Sequence, residues 1–167
     1  MKSYEERAKK FIQQVFPYIE DCEDEYDTKE CIYHFNVDFN RSVKVANGMS
    51  RIALITSDYV VKWDYDMDEI NRIGGCENEI YLYAEAEKNG FDYLFAKITR
   101  YEYNDRRFYI MPRIRGINGR SWNYARDYMT EEEKKWCNKY NLTDLHSNNY
   151  GFRDGHVCII DYACQVD

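Results

Sequence analysis

The sequence lacks the features that assign many chains to a class at once. Its six cysteines form no CxxC pair and no zinc-finger spacing, so a zinc-stabilised fold is not indicated. No stretch approaches the roughly 18 apolar residues of a membrane helix, and the start MKSYEERAKK does not resemble a secretory signal. We therefore expect a cytoplasmic protein with free, mostly buried thiols.

An excess of positive charge is also absent. Lys and Arg number 23 against 30 Asp and Glu, which gives a net charge of −7. An acidic surface repels nucleic-acid phosphates and anionic lipid headgroups. We therefore expect neither nucleic acid nor a membrane as the main partner.

Proline is scarce, with two residues in 167, and the chain contains no repeats and no Pro-rich linker. A chain of this length fits one compact domain or two lobes. Changes in pattern divide it into an N-terminal helix and acidic segment (1–41), a β-rich part with one helix (42–114) and a C-terminal part (115–167).

The N-terminal segment begins with a helix signal. Ser3 and Glu6 have the spacing of a capping box, and apolar residues recur at helical spacing from Ala8 to Phe16. Pro17 limits how far this helix can run. Such a helix could pack on its own domain or serve as an arm for a partner, and the first is the commoner case. The acidic run 20–30 is expected to be a solvated loop or a helix face.

The middle segment predicts an antiparallel sheet. The runs SVKVA, RIALI and YVVKW are rich in β-branched and aromatic residues and are separated by turn residues. A helix over 76–90 should end at Gly90, and FAKITRYEY and RRFYIMPRI should form two more strands joined at Asn104 and Asp105. In the C-terminal part we expect a helix from Thr130 and a hairpin with Asp154-Gly155 at its tip. The fold class is therefore α+β.

The densest polar cluster is TDLHSNN, which precedes the hairpin. Asp144 lies in it, Asn149 ends it, and Asp161 follows the apolar strand VCII. Phosphoryl transfer needs a carboxylate to orient or deprotonate the acceptor and oxygen ligands for Mg²⁺. These three residues could supply both, although a turn rich in Asx caps would use the same residue types.

The segment TDLHSNNYGF followed by VCIIDYA resembles the catalytic and metal-binding loops of protein-kinase-like enzymes. The variant is closest to aminoglycoside-phosphotransferase-like kinases and to small kinase-like proteins of bacteria and their phages. The resemblance implies that Asp144 is the catalytic base and that Asn149 and Asp161 are the metal ligands. It also implies a minimal kinase-like fold, in which an N-lobe antiparallel sheet with one αC-type helix precedes a truncated C-lobe.

The resemblance continues upstream over roughly residues 42–163. The strand YVVK is similar to the V-A-I-K strand, so Lys62 would contact the α- and β-phosphates. The helix at 76–88 occupies the position of the family's αC, and Glu79 would pair with Lys62, with Glu77 as the alternative partner.

The same resemblance implies where the nucleotide lies. Gly48 and Ser50, in the turn between the first two strands, would cover the phosphates, although G-x-G-x-x-G is absent. The backbone from Met111 to Arg113, in the hinge after the fifth strand, would meet the adenine.

The sequence also departs from the family pattern. Leu142 stands where many kinases have the His of H-R-D, and Tyr162-Ala163 replace Phe-Gly. Six residues follow Asp161, which is too few for an activation segment and peptide-binding helices, so protein-kinase activity is not implied.

Two functions follow from these features. The first is an ATP- and Mg²⁺-dependent phosphotransferase acting on an unknown protein or small-molecule acceptor. The second is a pseudokinase-type module that contacts a partner protein, with or without nucleotide. Nucleotidyl transfer on the same fold is a third possibility.

Overall fold

The computed structural model describes residues 2–48, 51–65, 75–116, 122–142 and 149–162. It has an α+β fold, as expected, and divides into two compact units. Unit 1 comprises residues 1–70 and 99–113, and unit 2 comprises residues 71–98 and 114–167. In the described ranges no helix is both long and apolar enough to cross a membrane.

The described part of unit 1 is a five-stranded antiparallel sheet with two helices. The helices are α1 (Tyr4–Ile19) and α2 (Glu25–Phe39), and the strands are β1 (Lys44–Asn47), β2 (Arg51–Ile55), β3 (Tyr59–Asp64), β4 (Thr99–Tyr103) and β5 (Arg106–Pro112). The strand order is β1-β2-β3-β5-β4 with every neighbouring pair antiparallel. This confirms the predicted antiparallel sheet, the part that the kinase resemblance assigns to the N-lobe.

Helix α1 begins where the sequence predicted, with the Ser3–Glu6 capping box formed in both directions. The helix continues two residues past Pro17 and ends at Ile19, in agreement with the prediction that this proline limits its length. A proline this close to the C-terminus removes one backbone hydrogen bond, while Phe16 and Ile19 on either side of it are buried. The helix packs on its own unit, as favoured, and is not a free arm.

Helix α2 covers most of the acidic run. At its N-terminus the side chain of Asp24 accepts a hydrogen bond from the Asp27 amide. At its C-terminus the capping residue Asn40 adopts the left-handed conformation, with a φ of 48°. Its buried side chains are Thr28, Ile32 and Phe35, and their spacing of four and three residues places them on one helix face.

The two faces of the sheet have different surroundings. Val61 and Trp63 of β3 belong, with Phe108 and Ile110 of β5, to the core that contains the buried residues of α1 and α2. Because side chains alternate along a strand, Lys62 lies on the opposite face. The register places it across from Tyr109.

In its described residues, unit 2 contains three helices, a 3-10 turn and a hairpin. The elements are α3 (Cys76–Asn89), the 3-10 turn Asp92–Leu94, α4 (Trp122–Arg126), α5 (Glu131–Lys139), β6 (Tyr150–Arg153) and β7 (His156–Ile159). The predicted cap of α3 is confirmed, with Gly90 left-handed at φ 76°, and so is the Thr130 capping box of α5. Asp154 and Gly155 form the hairpin tip with φ of 53° and 81°.

By compactness α3 belongs to unit 2, and α1 and α2 belong with the sheet. The sequence-based division grouped α3 with the sheet and separated residues 1–41, following the resemblance and not compactness. As a division into functional segments it stays a prediction.

Candidate functional site

The base of the β6–β7 hairpin brings the two predicted metal ligands together. Tyr150 pairs with Ile159, so Asn149 and Ile160 are the next pair outward. The Asn149 carbonyl accepts the Ile160 amide at 2.7 Å and the Asp161 amide at 3.3 Å. Asn149 and Asp161 are therefore fixed side by side through their backbones, although twelve positions separate them in sequence.

Glu79 of α3 binds the backbone on the C-terminal side of Asp161. Its side chain is fully buried, and its Oε1 accepts the backbone N–H of Tyr162 at 3.1 Å. The Tyr162 hydroxyl in turn donates to the Ala96 carbonyl at 2.7 Å. Burial first, and then the Glu79 charge, raises the pKa of Tyr162 well above its ordinary value. Asp161 thus lies between two backbone anchors, one at Asn149 and one at Glu79.

The donor chemistry of this loop fits Mg²⁺. Asn149 and Asp161 offer an amide and a carboxylate oxygen, which are the ligand types that Mg²⁺ prefers. Within the described ranges no group of three or more His, Cys, Asp or Glu side chains could hold a metal ion.

In unit 1 the predicted nucleotide residues Lys62 and Met111 share one face of the sheet. Val60 pairs with Met111 and Lys62 with Tyr109, and directly opposite residues of an antiparallel pair point to the same face. Lys62, Tyr109 and Met111 are all buried, with exposures of 8%, 2% and 2%. Lys62 therefore lies on the face of the sheet opposite the α1–α2 core, close to Met111.

The backbone of the predicted hinge is partly engaged. The Arg113 amide donates to the Asp58 carbonyl at 3.0 Å, which extends the β3–β5 ladder. In such a ladder the hydrogen-bonded pairs recur at every second residue, so Met111 and Val60 form the next hydrogen-bonded pair. An adenine at Met111 to Arg113 would have to use other backbone groups, and this contact stays a prediction.

Gly48 lies directly after the last residue of β1. The Gly48 amide donates to the Arg51 carbonyl at 2.8 Å in the β1–β2 turn, and a Cβ on Gly48 would have no atom within 4 Å. Ser50 and the predicted base Asp144 lie outside the described residues. The pairing of Lys62 with Glu79 or with Glu77 likewise stays a prediction.

Sequence reasoning missed the part played by Tyr162, which it treated only as a departure from Phe-Gly. A buried tyrosine needs a hydrogen-bond partner for its hydroxyl, and Tyr162 finds it at Ala96. The signal was the run VCIIDYA, where a large aromatic residue follows the acid directly.

Comparisons with known proteins do not assign the chain to a family. No family model matches the chain, and no curated protein matches it. Among solved structures it is similar to the "Legionella pneumophila Lpg2603 kinase bound to IP6", with a TM-score of 0.46 and 16% identity, over 74% of this chain. The chain spans 49% of the length of that protein. Similarity at this level does not establish a shared activity.

Proposed function

We propose that the chain binds ATP with Mg²⁺ and transfers the γ-phosphoryl group to an acceptor hydroxyl. One observation carries the proposal: the Asn149 carbonyl and the Glu79 carboxylate anchor the amides on either side of the Asp161 side chain. A loop held in this way keeps an acid in place without movement during reaction, as electrostatic stabilisation of phosphoryl transfer requires.

Each residue has a separate part in this proposal. Asn149 and Asp161 would hold Mg²⁺, which when bound neutralises charge on the phosphates. Lys62 would contact the α- and β-phosphates, and Met111 and Arg113 would lie beside the adenine. Gly48 and Ser50 would cover the phosphates.

The chemical step would be an in-line displacement. The acceptor oxygen forms a bond to the γ-phosphorus, the bond from that phosphorus to the bridging oxygen breaks, and ADP leaves. Asp144 would take the proton of the acceptor hydroxyl. The acceptor is either a protein or a small hydroxyl compound.

The test of this proposal is the variant Asp144→Asn. Because Asp144 would face the acceptor and not the phosphates, the variant should bind ATP-Mg²⁺ about as well as wild type. Its turnover should fall by about 10²–10⁴-fold, the contribution of a positioned general base. The measurement is phosphate release from ATP, together with label transfer to protein and to small hydroxyl compounds, at matched ATP occupancy.

The matched control is Asp154→Asn at the exposed hairpin tip, where Asn also accepts a positive φ. It makes the same change of charge and should leave turnover intact. If wild type turns over no faster than Asp144→Asn while both bind ATP, the catalytic role of Asp144 is wrong.

A second candidate, the pseudokinase-type binding module, is favoured by the outer surface of α2. Tyr26, Tyr33 and Val37 are 79%, 66% and 63% exposed, and acidic residues surround them in sequence. Exposed aromatic residues of this kind are enriched in protein–protein interfaces. An outcome in which ATP binds without turnover would favour this candidate.

A further inference from the structure

Unit 1 contains a cleft that shares only Arg113 with the residues of the proposed phosphotransfer. Two adjoining cavities of about 440 Å³ and 370 Å³ lie between α1, the α2–β1 connection and the β2–β3 turn. They share Phe11, Arg41, Asp58 and Tyr59 among their lining residues. Each cavity has the size of a small-molecule site.

The lining is strongly cationic although the chain as a whole is acidic, with a net charge of −7. Lys44 and Arg113 line the larger cavity, Arg7 and Lys10 line the smaller one, and Arg41 lines both. Among these lining residues, all of which the structure describes, Asp58 is the single acid. Its carboxylate already accepts a hydrogen bond from Arg7, with Nε and Oδ2 2.9 Å apart.

The backbone that carries these cations is held in place. The Asn36 side chain bonds both the amide and the carbonyl of Val43 at 2.9 Å each, which fixes the connection between Arg41 and Lys44. On the facing wall Arg113 Nη1 donates to the Thr56 carbonyl at 2.7 Å. A site whose parts are ordered before binding loses less entropy when a ligand arrives.

The floor of the cleft is apolar and buried. Phe11, Val43 and Tyr59 are 5%, 8% and 7% exposed, and the rings of Phe11 and Tyr59 are 5.8 Å apart. Burial and the Asp58 charge raise the pKa of Tyr59, and the charges of Arg41 and Arg7 act in the opposite direction. Cations around a partly desolvated floor attract anions more strongly than exposed ones do.

We infer that this cleft binds a small anion carrying at least two phosphate groups. Arginine and lysine are the side chains that recognise phosphate, and each of the two cavities supplies cations of its own, with Arg41 shared between them. Apart from Arg113, its lining residues take no part in the proposed phosphotransfer, and none of them belongs to the proposed Mg²⁺ loop.

The probe is inorganic pyrophosphate without Mg²⁺. Its binding is measured by titration calorimetry and by thermal unfolding at constant ionic strength. Wild type should bind it with a defined stoichiometry of one. The double variant Arg41→Gln and Lys44→Gln should bind at least about tenfold more weakly, because two charge-assisted contacts are lost. Orthophosphate should bind more weakly than pyrophosphate, since it cannot reach both groups of cations.

Two controls make the result specific. Lys135→Gln removes a charge from the exposed face of α5 in unit 2 and should leave pyrophosphate binding unchanged, as should Asp161→Asn. Circular dichroism and the unfolding temperature without ligand show that each variant is folded. Equal binding by wild type and the double variant would overturn the inference, and so would stabilisation that equimolar charge from potassium chloride reproduces.

Discussion

At the scale of single residues, Gly151 in β6 lies directly against another backbone segment. A Cβ built on it would lie 2.2 Å from the Arg115 carbonyl oxygen and 2.8 Å from Ile114 Cγ2. Gly151 also forms an isolated bridge to Gly116. The hairpin that carries Asn149 and Asp161 therefore depends on the missing side chain at position 151.

We predict that Gly151→Ala lowers the free energy of unfolding by about 1–3 kcal/mol, the usual cost of overpacking. The neighbouring atom is backbone and cannot rotate away. Gly48→Ala is the control, because a Cβ there would meet nothing within 4 Å and should change stability little. Urea unfolding of both variants is the measurement, and equal stabilities would contradict the prediction.

At the scale of elements, two cysteines, one near the end of α1 and one within α2, lie in contact. Cys22, after α1, and Cys31, within α2, are both half-buried free thiols, and their sulfur atoms are 3.2 Å apart. Burial, followed by the contact with Cys31, raises the pKa of Cys22 to about 12. The thiolate is therefore scarce at neutral pH, and thiol exchange should be slow there.

We predict that oxidised glutathione at alkaline pH converts this pair to a disulfide, with two thiols oxidised and one glutathione disulfide reduced to two thiols. Closing so short a loop should stabilise unit 1 by about 2–3 kcal/mol in the chain-entropy description. Intact mass, peptide mapping and the unfolding temperature measure the outcome. Cys22→Ser should show no stabilisation, and a disulfide formed equally well between other cysteines would contradict the prediction.

Unit 2 should lose stability in alkali. Burial raises the pKa of Cys137 to about 12 and of Cys158 to about 11. The unfolded chain then releases these protons at lower pH than the folded one. Since the folded state holds more protons in this window, stability falls as pH rises.

We therefore predict full stability below about pH 8.5, the ordinary cysteine pKa, and a progressive loss up to the folded values of about 11 and 12. Unfolding free energies between neutral pH and pH 11 measure it. Cys137→Ala should make this pH dependence shallower than in wild type. An unchanged slope in that variant would show that other groups are responsible.

At the scale of the whole molecule, the parts of the fold that were predictable from sequence have strong local signals. The strands of unit 1 alternate or run in β-branched residues, and the turn at Asn104-Asp105 adopts the positive φ values of 47° and 61° that such residues favour. Capping boxes fixed the starts of α1 and α5.

Helix α2 could not be assigned because its apolar residues are not confined to one face. Ile32 and Phe35 are buried, whereas Tyr33 and Val37 are exposed, so periodicity is weak and charge dominates the pattern. Pro17 limits the length of α1 but does not give its last residue, since the buried Ile19 lies beyond the proline.

From the sequence, the residues of the candidate site could be proposed by their type and spacing. Their contacts with one another could not be predicted. Spacing and strand context singled out Asn149, Asp161 and Lys62. No local pattern reveals that the Asn149 carbonyl reaches Asp161, or that Glu79 accepts the Tyr162 amide 83 positions away. Both depend on long-range pairing, which only the folded chain provides.

The central claim is that Asp161 holds Mg²⁺ against a bound nucleotide, and thermal unfolding with ATP tests it most directly. ATP with Mg²⁺ at about 100 times its dissociation constant should stabilise wild type by about 2.7 kcal/mol, and ATP alone should stabilise it less. Asp161→Asn should remain folded and lose the part that depends on Mg²⁺, while Asp154→Asn keeps it. If ATP-Mg²⁺ leaves wild type unshifted, or shifts Asp161→Asn equally, the account is contradicted.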